Sequence, residues 1–228
     1  MAKKIMFNDK YSLTQAVLDG RKTMTRRIIK CPRTFKGEWV AGFNIHRRHS
    51  DKKIVGWPCM YDADEREFDM GEILPKYKVG EVLSIAQSYE SLGMNPEIAL
   101  NDKDGIGFYT KTKFAPGWKN KMFVRADLIP HHIRITNIKI ERLQDISDED
   151  CLAEGVVKVT HTVPTKAPQC LISYYPCLSL KEAADKVGWG ITYSTPQLAF
   201  ATLIDKVSGK GTWESNPYVF VYEFELID

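Results

Sequence analysis

The chain has no apolar run approaching the ~20 residues that a membrane-crossing helix needs. Its first residues, MAKKIMFNDKYS, lack the apolar stretch of a secretory signal. A cytoplasmic protein with no membrane partner is the expectation. Five cysteines, Cys31, Cys59, Cys151, Cys170 and Cys177, form an odd, scattered set without a Cys-x-x-Cys pair. That argues against a disulfide framework and against structural zinc. His46 and His49 lie in a basic insertion with no nearby carboxylate or thiol pair, so no metal site and no cofactor are expected. A Gly-rich fingerprint after a strand is also missing, as is regular strand-helix alternation, which disfavours a doubly wound nucleotide-binding fold.

Net charge is scarce as well. The 228 residues carry 32 Lys plus Arg against 29 Asp plus Glu, a surplus too small to imply nucleic-acid binding by itself. Its distribution is uneven. Between Arg21 and Lys53 eleven basic residues face two acidic ones, and between Asp62 and Glu72 six acids face Arg66 alone. Charge separated in this way can orient an anionic partner.

Local patterns outline the elements. Ser12 is placed to cap a first helix that ends at Gly20, after which GRKTMTRRII reads as an extended segment. Strand signals follow at 82–86, 107–114 and 132–143, the last with a change of parity that predicts a bulge near Asn137. Ser147 caps a second helix, with Ile146 placed to staple onto Cys151 and Gly155 closing it after Glu154. Residues 157–192, with three prolines, read as irregular apart from a short helix over 180–187. Thr195 and Pro196 begin a helix whose apolar stripe is Phe200, Leu203, Ile204 and Val207. The chain ends in an alternating strand over 218–226. The order fits an α+β domain built on a small, mostly antiparallel β-barrel.

LDGRKTMTRRII, YKVGEVLSI, IERLQDISDEDCLAEGV, AFATLIDKVSGK and WESNPYVFVYEFEL, in that order, resemble the ASCH domain of the PUA-like superfamily, in its longer phage and prophage-type members. The resemblance implies one domain over 1–228, a small β-barrel with flanking helices, and insertions at about 34–73 and 157–192. It implies RNA or modified-nucleoside binding at a basic cleft. In one compact group of relatives it implies amide hydrolysis of N4-acetylcytidine by a Lys, a Thr three residues later and a distant Glu. The matching positions are Lys22, Thr25 and Glu154. Two segments depart from the phage-type pattern: Ala86-Gln87-Ser88-Tyr89 stands where many relatives have Arg-Glu-Thr-Trp, and Val124 to Pro130 replaces Met-Pro-Arg-Trp-Ala-Ser-Arg.

Amide hydrolysis needs a nucleophile, a proton acceptor and an acid for the departing amine. Thr25 or a water it positions supplies the first, and a neutral Lys22 the second. Neighbouring Arg21, Arg26 and Arg27 are expected to favour the neutral amine by repulsion. Glu154, at the negative end of its helix, suits a proton-carrying role. The bland alternative is a basic strand whose Lys22, Arg21, Arg26 and Arg27 hold phosphates without catalysis. Trp39, Phe43, Trp57, Tyr61, Tyr89, Tyr109 and Trp118 lie in or beside the basic half, and Tyr89 and Trp118 lead as cleft residues able to stack a base. Three readings remain open: an RNA or nucleoside binder, an amidohydrolase, and a phage accessory protein acting on a phage or host protein.

Overall fold

The computed structural model describes residues 3–93, 116–163, 169–176 and 192–227. Its main sheet has five strands: β1 (Lys3–Ile5), β2 (Met24–Ile28), β8 (Val82–Ile85), β9 (His132–Arg142) and β12 (Tyr218–Leu226). They lie in the order β1-β8-β9-β12-β2. Only β1 and β8 run parallel; the other neighbours are antiparallel. Strand β12 lies inside the sheet, between β9 and β2, and both its faces are apolar: Val219 and Val221 bury on one and Phe220 and Tyr222 on the other. It pairs with β9 from Tyr218 opposite Arg142 to Leu226 opposite Ile133. The register shifts where Asn137 faces Glu223 and Ile135 faces Phe224, leaving Thr136 as the extra residue. The expected bulge therefore sits one residue from Asn137.

Among the described residues four helices accompany the sheet: α1 (Leu13–Leu18), α2 (Asp148–Ala153), α3 (Pro196–Ser208) and α4 (Thr212–Ser215). The Ser147 hydroxyl accepts from Asp150 N and the Thr195 hydroxyl from Leu198 N, satisfying amides that a helix start leaves without intrahelical partners. Ile146 and Cys151 both bury in the main core. Ser12 behaves differently from the expectation. It adopts a left-handed backbone, φ 55°, and its side chain makes no capping bond to α1, because a 3-10 turn over Asp9–Tyr11 runs directly into the helix. On α3, Phe200, Leu203 and Ile204 bury as expected, whereas Val207 is exposed in the last turn.

The segment after α2 corrects the irregular reading. Strands β10 (Val157–Val163) and β11 (Gln169–Tyr175) form an antiparallel hairpin in register from Val157 opposite Tyr175 to Val163 opposite Gln169. The alternating valines of VKVTHTV carry it, and the nearby prolines lie outside both strands. The strand expected at 107–114 and the helix expected at 180–187 lie outside the described residues.

Residues 34–73 make two small ladders, β3 (Thr34–Phe35) with β4 (Glu38–Trp39), and β5 (Gly42–Asn44), β6 (Cys59–Tyr61) and β7 (Glu67–Glu72). Phe43 and Trp57 pack edge-on against Tyr218 and Phe220 of β12, at 6.3 and 6.0 Å between ring centroids, which gives these aromatics a packing role.

The architecture is mixed α and β with mostly antiparallel sheets, and the described residues contain no closed barrel. Strands β1 and β2 remain the sheet's edges. With β1 only three residues long, the chain next to it is tied across by a side chain: Arg27 donates to the Met6 carbonyl at 2.6 Å. Among the described residues no helix is long and apolar enough to cross a membrane.

Candidate active site

Two backbone hydrogen bonds bring distant residues together. Lys22 N donates to Ala16 O at the end of α1, and Thr23 N donates to Ala153 O at the end of α2, each at 2.9 Å. The residues leading into β2 are thereby clamped against the turn that holds Glu154, the C-cap of α2. Lys22 and Glu154, 132 positions apart, are both at least 95% buried. Lys22 Nζ lies 2.5 Å from Glu154 Oε2 and donates to the Glu154 carbonyl at 2.8 Å. An ammonium so placed also meets the partial negative charge at the end of a helix, where carbonyls lack partners.

Arg26 continues the network from the same strand face. Its guanidinium is fully enclosed. It donates to Glu154 Oε1 at 3.2 Å, to Asp150 Oδ2 at 2.7 Å, and to Glu141 Oε1 through Nε at 2.9 Å and Nη2 at 2.5 Å. Lys139 bridges Asp150 at 3.2 Å and Glu141 at 3.3 Å from the outer side. Burial works against the Arg26 charge, but the Glu154 and Glu141 carboxylates and the hydrogen bonds to Glu141 and Asp150 outweigh it and hold the guanidinium above its ordinary pKa. For Asp150, burial likewise opposes ionisation and is overcome by Arg26 and Lys139, so its carboxyl titrates below the usual range. At the adjacent Cys151 burial outweighs the opposing pull of Arg26, and the nearby carboxylates add to it, so the thiol is pushed up to about 12.

This arrangement revises the expected electrostatics of Lys22. The repulsion anticipated from Arg21 and Arg26 is offset at source: Arg21 pairs with Asp19 at 2.9 Å, and Arg26 with three carboxylates. Arg27 alone lacks a carboxylate partner among the described residues; it is exposed, bonded to the Met6 carbonyl and set 6.0 Å from the Phe7 ring centroid.

Lys22, Thr25 and Glu154 all line one cavity of about 710 Å³. The Thr25 hydroxyl has no hydrogen-bond partner among the described residues. Phe7 and Leu13 contribute apolar wall on one side, and Phe200, Leu203 and Ile204 of α3 on the other. Five cationic residues, Lys22, Arg26, Arg27, Lys30 and Lys121, face two anionic ones, Asp9 and Glu154. Lys121 and Asp9, both on the cavity wall, pair at 2.7 Å. The volume falls within the range that holds small ligands.

Other expected ligand residues lie elsewhere. Tyr89 is fully buried in a satellite cluster with Val124 and Ile129, and Trp118 packs half-buried against that cluster. Neither they nor Arg21 line the cavity. Tyr89 thus has no ring face open to a base, because the segment around Val124 covers it. Gln87 is buried and bonded to His131 Nδ1 at 2.7 Å, away from the cavity wall. Tyr109 lies outside the described residues.

Sequence reasoning missed Glu141, Asp150 and Lys139. Asp150 was recognisable only as a residue of the first helical turn, and Glu141 and Lys139 as polar positions on one face of a strand. Their meeting point depends on cross-strand register: Arg26, Val221 and Lys139 form one row across β2, β12 and β9. Among the described residues, no group of three or more His, Cys, Asp and Glu side chains is disposed to hold a metal ion. No family model, no curated protein and no solved structure matches this chain.

Proposed function

We propose that the cavity binds a modified nucleoside and hydrolyses its exocyclic amide, the reaction implied by the ASCH resemblance for N4-acetylcytidine. The observation that carries this reading is the presence of Lys22, Thr25 and Glu154 on the wall of one nucleoside-sized cavity. Two of the three are in direct contact, and the third offers an unpartnered hydroxyl among the described residues.

The chemistry follows from that contact. Transfer of one proton from the Lys22 ammonium to Glu154 Oε2 leaves a neutral amine beside a neutral carboxylic acid. The amine then accepts the proton of the Thr25 hydroxyl, or of a water bound to it, as the oxygen attacks the amide carbonyl. Collapse of the tetrahedral adduct breaks the C–N bond, and the departing amine takes its proton from Glu154. Where Thr25 itself attacks, water releases the acyl group and restores the hydroxyl. The net reaction consumes one water and yields a carboxylic acid and the free amine. Arg26 keeps Glu154 Oε1 occupied, so that Oε2 is the oxygen presented to Lys22. Arg26 is thus a positioning residue rather than a phosphate ligand.

The assay is incubation with N4-acetylcytidine and chromatographic detection of cytidine and acetate. Turnover that Lys22→Ala abolishes and Thr25→Ala lowers at least 10²-fold supports the reading, the latter being the scale of general acid-base terms. Binding of the nucleoside without release of cytidine assigns the cavity to recognition alone.

A further inference from the structure

A second cavity of about 710 Å³ lies beside the first, with Met6, Arg27, Ile28 and Lys30 on the walls of both. Its lining includes five cationic residues and no carboxylate. Lys3 is neutralised by Glu81 at 2.7 Å, and Lys4 donates to the Lys121 and Met122 carbonyls. Arg27, Lys30 and Lys76 are exposed and have no carboxylate partner among the described residues. Two apolar side chains of the same wall, Leu74 and Met122, are each 62% exposed.

The complement of this surface is on the same chain. Strand β7 is an edge of its ladder and runs directly into Ile73 and Leu74, which line the cavity. Tyr61 lies opposite Glu67 and Cys59 opposite Glu72, so two steps along β6 face five along β7, and the edge strand bulges outward. Met70 stands on that bulge with a left-handed backbone, φ 56°, and 82% of its surface exposed. Gly71 lets the chain fold back beneath it, since a Cβ there would stand 2.7 Å from Phe68 Cβ. Bulges and charges blunt a sheet edge against stray pairing, but a methionine displayed at an uncommon backbone conformation is not accounted for in that way. Beside it, Glu65, Asp69 and Glu72 are exposed with no cationic partner among the described residues, whereas Asp64 contacts Arg66 and Glu67 contacts His46.

Three unpaired carboxylates around one open methionine match three unpaired cations around two open apolar side chains. We infer that the second cavity receives the acidic ribbon of a second copy of this chain, with Met70 against Leu74 and Met122 and the carboxylates on Arg27, Lys30 and Lys76. Within one copy the match is unused: β7 is held to β6, and no ion pair joins its carboxylates to these cations. Ribbon and cavity meet at Ile73 and Leu74, so a two-fold axis beside Leu74 makes the contact reciprocal, each copy giving a ribbon and receiving one. A small inorganic anion would leave the apolar side chains uncovered, and an apolar peptide would leave the cations unpaired. Because Arg27 and Lys30 belong to both cavities, the seated ribbon borders the first one. The inference is independent of the reaction assigned there.

Sedimentation of the full chain at about 100 µM in about 50 mM salt should give twice the single-chain mass of 26.1 kDa, and about 500 mM salt should weaken the association about tenfold, because exposed charge pairs are screened. A zero-length carbodiimide should join Lys30 or Lys76 of one copy to Asp69 or Glu72 of the other, a reading that needs no substitution. Lys30→Glu with Lys76→Glu in one variant, and Asp69→Lys with Glu72→Lys in another, should each leave a monomer. Mixed together, the two variants should form a one-to-one pair, since both contacts are again attractive with their signs exchanged. A parent chain that stays monomeric overturns the inference. So does a dimer that persists in either variant or is crosslinked through other residues, which places the interface elsewhere. Capture of polyuridylate or polyglutamate by a chain that does not self-associate gives the cavity to a foreign polyanion and overturns it as well.

Discussion

Replacing Arg26 by Met probes the network that holds Glu154. Methionine keeps an unbranched apolar stem of similar reach, so packing against Phe200, 6.0 Å from the guanidinium carbon at its ring centroid, is largely preserved. What is lost is the cation that three carboxylates share. Removing one partner from a buried ion pair costs about 3–5 kcal/mol, because the remaining charge stays desolvated and unpaired. Lys22 and Lys139 still contact the carboxylates, which places the loss toward the lower end of that range. For a chain of this size 1 kcal/mol shifts the melting temperature by about 2–4 °C, so a drop on the order of 10 °C is expected. The pH dependence carries the sharper signature. Asp150 titrates below its ordinary range when folded, so the stability it contributes is fully present above its unfolded pKa of about 3.9 and is lost as pH falls through the lower folded value. Without Arg26 that depression is relieved, and the gap between variant and parent should narrow below about pH 4. Urea unfolding of both proteins at pH 7, 5 and 3.5 measures it. A gap under 1 kcal/mol at pH 7, or one of constant size at all three values, refutes the account of Arg26 as a buried electrostatic hub.

Cys151, with its thiol pushed up to about 12, should resist iodoacetamide at pH 8 in the folded chain and label only in urea. Labelling as fast as at the partly exposed Cys31 would contradict its burial. Gly117 has φ +89°, and an added Cβ would stand 2.7 Å from Tyr89 Cε2. Gly117→Ala should therefore destabilise by about 2 kcal/mol or more through backbone strain and overpacking, read by thermal unfolding, and a neutral outcome would place the Tyr89 ring elsewhere. Tyr89→Phe, which keeps the buried ring, should leave nucleoside affinity in calorimetry unchanged, and a tenfold loss would return this residue to the binding surface. Ser147→Ala removes the hydroxyl that caps α2 and should cost about 1 kcal/mol in urea unfolding. Since α2 ends at Glu154, the same variant should also lower turnover of N4-acetylcytidine.

Elements whose signals are local were legible in the sequence. Ser147 and Thr195 announce their helices by hydrogen bonds three residues long, and the parity change in HIRITNIKIERL marks its own bulge. Lys22, Thr25 and Glu154, which line one cavity, were singled out by resemblance alone, since nothing in their spacing brings positions 22 and 154 together. The hairpin β10–β11 was obscured by prolines that interrupt the segment without entering its strands. Ser12 has the residue type of a cap, but the preceding 3-10 turn takes the backbone into a left-handed conformation and moves the hydroxyl out of capping position. The largest gap was Arg26. A basic strand invites the assumption that every cation reaches solvent or phosphate. Alternation alone could not show that Arg27 does and that Arg26 points into carboxylates delivered by β9 and α2.

The burial of that network bears on the reading of the site. A cluster containing Lys22, Arg26, Lys139, Glu141, Asp150 and Glu154 is an expensive way to fill the end of a sheet, because desolvation offsets most of the attraction and apolar side chains of similar volume often stabilise as well or better. Its worth therefore lies in orientation. Six groups joined by hydrogen bonds fix the two oxygens of Glu154 separately, one on Arg26 and the other on Lys22. A carboxylate so constrained can exchange a proton with one partner without rotating toward another. Glu154 lies on the wall of the cavity that Thr25 also lines, within a small-ligand volume. The two basic residues that separate into opposite fates, Arg26 inward and Arg27 outward, follow from strand alternation: Arg26 turns into the carboxylates of β9 and α2, and Arg27, on the strand face it shares with Thr25, stays exposed at the cavity.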